Sequence, residues 1–109
     1  MILKNMEIKF FDDALEKFIE CLEPASVAKV LRTIDLLEKF GNHLGMPHSK
    51  KIGPRIFELR IRGQQEIRII YTFHRNAAIL LYGFIKKSNR ISKKDLEAVE
   101  KKLRALDKI

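Results

Sequence analysis

Two arginines and a tyrosine carry the most specific chemistry this sequence offers. Arg60 lies in the alternating stretch Ile56 to Arg62, Arg68 in Glu66 to Phe73, and Tyr82 in the apolar run Ala77 to Ile85. If these stretches are neighbouring strands, the short segments between them set the register. Loops at 63–65 and 74–76 put Arg62 opposite Glu66, Arg60 opposite Arg68, Phe73 opposite Ala77 and Arg68 opposite Tyr82. All three side chains then share one sheet face. Like charges facing each other cost about 0.2–1 kcal/mol, so the arginines need an anion. Glu58, two residues before Arg60 on the same face, is one source. A bound phosphate is the other, because the planar guanidinium fork matches it. Tyr82 is suited to stacking on a base or handling a proton. Lys86, Lys87 and Arg90 follow the third strand, Lys50, Lys51 and Arg55 precede the first, and Arg62 closes it. Together they form a basic cleft that tracks a phosphate backbone beside an aromatic platform. The competing reading makes Arg60 and Arg68 a surface ion-pair network with Glu58 and Glu66, and Lys86 and Lys87 a solvated strand end.

The charge distribution supports a localised site. The 109 residues hold 22 Lys and Arg against 14 Asp and Glu, net +8. Residues 50–94 hold 12 basic and 2 acidic side chains, whereas residues 1–49 are net −2 and residues 95–109 net 0. A basic balance points to a polyanion: nucleic acid, an anionic membrane surface or an acidic protein. The longest apolar run is about half of what a membrane span needs, and the N-terminal stretch lacks the order of a signal peptide. The single cysteine, Cys21, lies beside core positions and reads as structural. His43, His48 and His74 fall in loops without metal-ligand spacing, so neither a metal nor another cofactor is expected. Met1, Met6 and Met46 read as packing. The cytoplasm is the expected compartment.

The elements that must position the site follow from periodicity. Met6 to Phe10 alternates as a short strand. Asp13 with Glu16 has the spacing of a capping box before a first helix carrying Leu15, Phe18, Ile19 and Leu22. Pro24 opens a second helix with Val27, Val30, Leu31, Ile34 and Leu37, which ends near Phe40 at Gly41. Residues 41–55 read as a loop. A three-stranded meander follows, and Ser92 with Asp95 caps a last helix striped by Leu96, Val99, Leu103 and Leu106. The order β-α-α-β-β-β-α predicts one α+β domain over residues 1–109, with the helical hairpin and last helix on one face of a small antiparallel sheet and the other face open for function.

The stretch from Met46 to Phe73, followed by Ala77 to Leu103, resembles the RelE/HigB superfamily of type II toxins, and within it the phage-derived branch. Its marks here are Ser49-Lys50, Glu58-Leu59-Arg60, Arg68 and Tyr71, and Gly83-Phe84-Ile85-Lys86-Lys87. The resemblance implies a cytoplasmic toxin with a RelE-like fold that cuts mRNA on the ribosome without a metal. It also implies a cognate antitoxin, often of helix-turn-helix type in the HigB-like branch. In such chemistry the RNA 2′-hydroxyl attacks the adjacent phosphate, which calls for cationic donors and a proton acceptor. Arg68 and Lys87 match basic active-site positions of the family, with Arg60 and Lys86 as neighbours. Many relatives have His where Tyr82 stands, RelE has lysines where Ile56 and Glu58 stand, and the C-terminal Tyr or His of RelE and HigB has no counterpart after Lys87. The general base is left open among Glu58, a lysine and ionised Tyr82. A non-catalytic RNA- or ribosome-binding module using the same basic face is the second reading. A membrane-surface role for the last helix is a third, disfavoured because Lys93 to Lys108 is only +2.

Overall fold

The structure, a computed structural model, describes residues 5–109; Met1 lies outside them. The elements are β1 (Glu7–Phe10), α1 (Asp13–Glu20), α2 (Pro24–Phe40), β2 (Ser49–Gly53), β3 (Ile56–Ile61), β4 (Ile67–His74), β5 (Ala77–Ile85) and α3 (Lys93–Leu106), with a 3-10 turn at Gly41–His43. One sheet runs β1-β5-β4-β3-β2. The sheet is mixed rather than wholly antiparallel, because β1 pairs in parallel with β5. The chain between them, the helical hairpin followed by β2, β3 and β4, supplies the long connection that parallel pairing requires. The expected 41–55 loop contains β2, which pairs antiparallel with β3. A short polar segment with weak alternation gives little sign of being a strand, and it becomes one by adding to a formed edge.

Local chemistry sets the helix ends. Asp12, not Asp13, caps α1: its backbone is extended and its carboxylate accepts from Leu15 N at 3.4 Å. Asp13 and Glu16 instead place negative charge in the first turn, where the helix dipole favours it. Pro24 opens α2, where a missing N–H costs nothing, and Gly41 ends it at φ 55°. Ser92 Oγ accepts from Asp95 N at 3.0 Å and donates to Asp95 Oδ2 at 2.8 Å, starting α3. Cys21 is exposed at the end of α1 rather than packed. His74 ends β4 rather than lying in a loop, and Met46 is 61% exposed.

Helices cover both faces of the sheet. Leu15 and Ile19 of α1 and Val30 and Leu37 of α2 pack on Leu59, Ile61, Ile69 and Leu80. Val99 and Leu106 of α3 pack on the opposite face against Ile56, Ile70, Ile79 and Leu81. The expectation of three helices on one face is therefore corrected. Ile56 and Ile70 leave an apolar strip on the second face, and burying it is worth about 25 cal/mol per Å². The face expected to be open is covered by α3 over Ile56, Ile70, Ile79 and Leu81 and is left uncovered beside Arg60.

The β3–β4 register is as predicted, with Arg60 opposite Arg68. The β4–β5 register is not. Arg75 (φ 50°) and Asn76 (φ 63°) make a two-residue turn, so His74 faces Ala77 and Phe73 faces Ala78. A bulge then leaves Leu81 as an extra residue between the pairs Tyr71–Leu80 and Ile70–Tyr82. The two one-residue offsets add, so Arg68 faces Phe84 rather than Tyr82. The bulge also turns Gly83 toward α1. A Cβ there would stand 2.7 Å from two Phe18 ring carbons and 2.9 Å from Leu15 Cδ1. Gly83→Ala should therefore destabilise the protein by about 1–3 kcal/mol through overpacking. An unchanged chemical-denaturation midpoint would refute this close approach.

Candidate functional site

A cleft of ≈ 560 Å³ opens between the exposed end of the sheet and the segment leading into α3. Its lining includes Lys50, Arg60, Arg68, Lys86 and Arg90 together with Glu58. Strand alternation places Glu58 and Arg60 on that face of β3 and Arg68 beside them on β4. Arg68 is only 2% exposed. Its Nε lies 3.5 Å from Glu58 Oε1, and its Nη1 donates to Glu66 Oε2 at 3.2 Å and to the Ile67 carbonyl at 3.1 Å. Arg60 Nε lies 3.8 Å from the same Glu58 oxygen. The predicted anion between the arginines is thus Glu58, and the ion-pair network is real. Yet it leaves a surplus: Arg60 Nε is buried without a hydrogen-bond partner among the described residues, and Lys50, Lys86 and Arg90 make no ion pair among them. Such a site, with fixed guanidinium donors and net positive charge, can hold a phosphate.

The other sequence candidates lie elsewhere. Arg62 and Lys87 line an adjoining groove that shares Arg68 and Lys86 with the cleft. Lys51 pairs opposite Phe57 and extends over its ring at 5.9 Å, on the side of the sheet that carries α1 and α2. Arg55 takes a left-handed conformation (φ 62°) after β2, where its Nη1 and Nη2 donate to Asp107 at 2.9 and 2.8 Å. The hydrogen bond with Asp107 raises the Arg55 pKa, and the Arg55 hydrogen bond lowers that of Asp107. This pair ties the end of α3 to the β2–β3 turn. Among the described residues, no group of three or more His, Cys, Asp or Glu is placed to hold a metal ion.

Tyr82 is two residues out of line with the arginines, and its hydroxyl donates to Asp95 Oδ1 at 2.6 Å. Burial, then the Asp95 hydrogen bond and the Asp95 charge, push its pKa up to about 12. The neutral phenol is favoured in the folded state, so this stabilisation is intact below pH 10 and is lost as the pH rises toward about 12. Absorbance titration should show native tyrosinate lagging well behind the denatured chain, with the highest transition missing in Tyr82→Phe. Native ionisation of Tyr82 near pH 10 would return it as a candidate base.

Sequence reasoning overlooked three contributors. Phe84 is the aromatic that lines up with Arg60 and Arg68 across three strands. Lys29 and Arg32, both on exposed positions of α2, join Arg60, Arg62 and His48 around a second groove beyond β3. Their spacing of three on a helix was the available signal. Motif residue Tyr71 serves structure instead. It is buried on the opposite face, its hydroxyl 2.6 Å from Ser49 Oγ, and burial raises its pKa.

A family profile described as phage derived protein Gp49-like (DUF891) matches residues 17–104. The chain belongs to this Gp49-like family. That match spans the second half of α1, all of α2, the whole cleft and most of α3, and it bears out the resemblance to the phage-derived branch. The Gp49-like chain also shares its fold with a chain of the YoeB–YefM complex from Staphylococcus aureus. The TM-score is 0.54 at 19% identity, covering 76% of this chain and 97% of that one. The RelE-like α+β architecture is thereby borne out, with three helices on a five-stranded sheet. No curated protein matches the Gp49-like chain. None of its described helices is long and apolar enough to cross a membrane.

Proposed function

We propose that this Gp49-like chain is the toxin of a type II toxin–antitoxin pair, a ribosome-dependent endoribonuclease that cuts mRNA in the cytoplasm and needs no metal. The observation that carries the reading is the Arg60–Arg68 row, set beside Lys86 in a cleft on a fold shared with a chain of the YoeB–YefM complex. Arg60 and Lys86 would contact the scissile phosphate, with Arg68 fixing Glu58 and the local field. Lys50, Arg90, Arg62 and Lys87 would follow the flanking phosphates. The 2′-oxygen forms a bond to phosphorus while the bond to the 5′-oxygen breaks, leaving a 2′,3′-cyclic phosphate and a 5′-hydroxyl. Glu58 is the carboxylate best placed to take the 2′-proton, and Lys86 the cation best placed to give a proton to the leaving 5′-oxygen. The partner would be a cognate antitoxin, of helix-turn-helix type as in the HigB-like branch.

Induced expression without a partner, with mapping of mRNA 5′ ends, tests this reading. New ends within translated frames and arrested growth are expected; intact transcripts in arrested or growing cells would overturn the nuclease reading. One observation favours a second reading, a non-catalytic RNA- or ribosome-binding module. Glu58 is already paired with both arginines, and Arg68 is almost wholly enclosed. That module predicts intact transcripts together with RNA association that weakens steeply with salt.

A further inference from the structure

Glu100 is the carboxylate of the cleft that no cation answers. Glu58 lies between two guanidinium groups. Glu100 follows Leu96 by one helical turn on α3, lines the same cleft, is exposed, and makes no ion pair among the described residues. In a cleft that otherwise gathers cations, a free carboxylate repels phosphate, so whatever lies against it must present donors.

The cleft is also graded along its length. Its basic row runs Arg60–Arg68–Phe84 across three strands. Ile56 stands four residues back along β3, about 13 Å away at a strand's rise per residue. Ile52 and Pro54 flank it, and Ile91 and Leu96 form the wall leading into α3. A ligand lying along this gradient is anionic at one end and flat and apolar at the other, and the volume of ≈ 560 Å³ lies within the range of small-ligand sites.

We propose that the cleft is a nucleotide subsite selective for guanine, with the phosphate on Arg60 and Lys86, the base against Phe84 and the apolar wall, and Glu100 reading the base edge. This rests on the RNA reading above and deepens it to a base preference. Guanine presents N1–H and N2–H side by side, and a carboxylate accepts both through charge-assisted bonds. Adenine and cytosine offer one donor beside an acceptor that the carboxylate repels, and uracil offers one N–H between two carbonyls. A bidentate contact of this kind separates bases by about tenfold or more.

The test is an NMR titration of the isotope-labelled full chain with GMP, AMP, CMP, UMP, ribose 5-phosphate and inorganic phosphate. GMP should bind about tenfold more tightly than AMP and move the resonances of Phe84, Ile91 and Leu96, which ribose 5-phosphate should leave in place. Glu100→Gln, an isosteric change at an exposed position, should erase the guanine preference without weakening the binding of inorganic phosphate. Equal affinity for all four nucleotides and ribose 5-phosphate, with shifts confined to Arg60, Arg68 and Lys86, overturns the base pocket and leaves the phosphate site standing. If no ligand, inorganic phosphate included, moves any cleft resonance, the base pocket falls together with the RNA reading.

Discussion

Arg60→Ala combined with Lys86→Ala should abolish translation arrest and mRNA cleavage while the protein stays folded. Arg60 brings a buried Nε with no hydrogen-bond partner among the described residues, and Lys86 shares the cleft with it. A donor aimed at developing phosphorane charge is worth about 10²–10³ in rate, so losing both should cost about 10³ or more. The backbone at Lys86 is held independently of its side chain, by its N–H to the Glu66 carbonyl at 2.7 Å. Glu58 keeps Arg68 as a partner when Arg60 is gone. Cleavage would be followed by primer extension in a defined translation reaction, with a thermal melt as the folding control. More than a tenth of wild-type cleavage in the folded double variant would place the scissile phosphate elsewhere.

Arg68→Ala should behave differently, because it removes the centre of a buried charge cluster. Truncating one partner of a buried ion pair costs about 3–5 kcal/mol, since the remaining charge stays desolvated. Glu58, at 16% exposure, retains Arg60 at 3.8 Å, which places the expected loss near the lower end, about 3 kcal/mol. That corresponds to a fall in Tm of roughly 10 °C or more for a chain of this size. Removing all three charges with Arg60→Met, Arg68→Met and Glu58→Met should recover much of the stability, because packed apolar side chains replace the buried ions, but no cleavage. If Arg68→Ala melts like wild type, the cluster is not structurally coupled and Arg68 returns as a direct phosphate ligand. A loss of toxicity in Arg68→Ala alone therefore says little about chemistry, whereas the Arg60 and Lys86 pair reports on it.

Much of the site was legible because it depends on short-range rules. The alternation in residues 56–62 and 66–73 and the turn between them sufficed to pair Arg60 with Arg68 and to find Glu58 between them. The third strand was misaligned because two local features compound. The turn uses Arg75 and Asn76 at positive φ, and Leu81 bulges out. Arg is not a residue whose type announces a left-handed turn, and a bulge inside the apolar run Ala77–Ile85 leaves no mark in its hydropathy. The side taken by α3 was missed for a different reason. An amphipathic helix declares its own apolar stripe, not which sheet face receives it. The signal lay in the sheet: Ile56 and Ile70 on the supposedly open face needed cover. Tyr82 illustrates the cost of the offset. It looked like a catalytic neighbour of Arg68 and is instead a tether between β5 and α3, while Phe84, without a hydroxyl, holds the aromatic place in the arginine row.

The edge strand β2 carries a consequence for the behaviour of the protein in concentrated solution. An edge strand offers unpaired backbone groups to any second strand, and nature often guards such edges with lysine and with bulges. β2 has both: Lys50 and Lys51 are exposed on it, and its pairing with β3 is irregular between Lys51 and Gly53. On the proposed function, Lys50 would answer to two demands at once, attraction to phosphate in the cleft and repulsion of a second copy at the sheet edge. Neutralising both lysines to weaken RNA association should also unguard the edge, and the altered chain should associate with itself as its concentration rises.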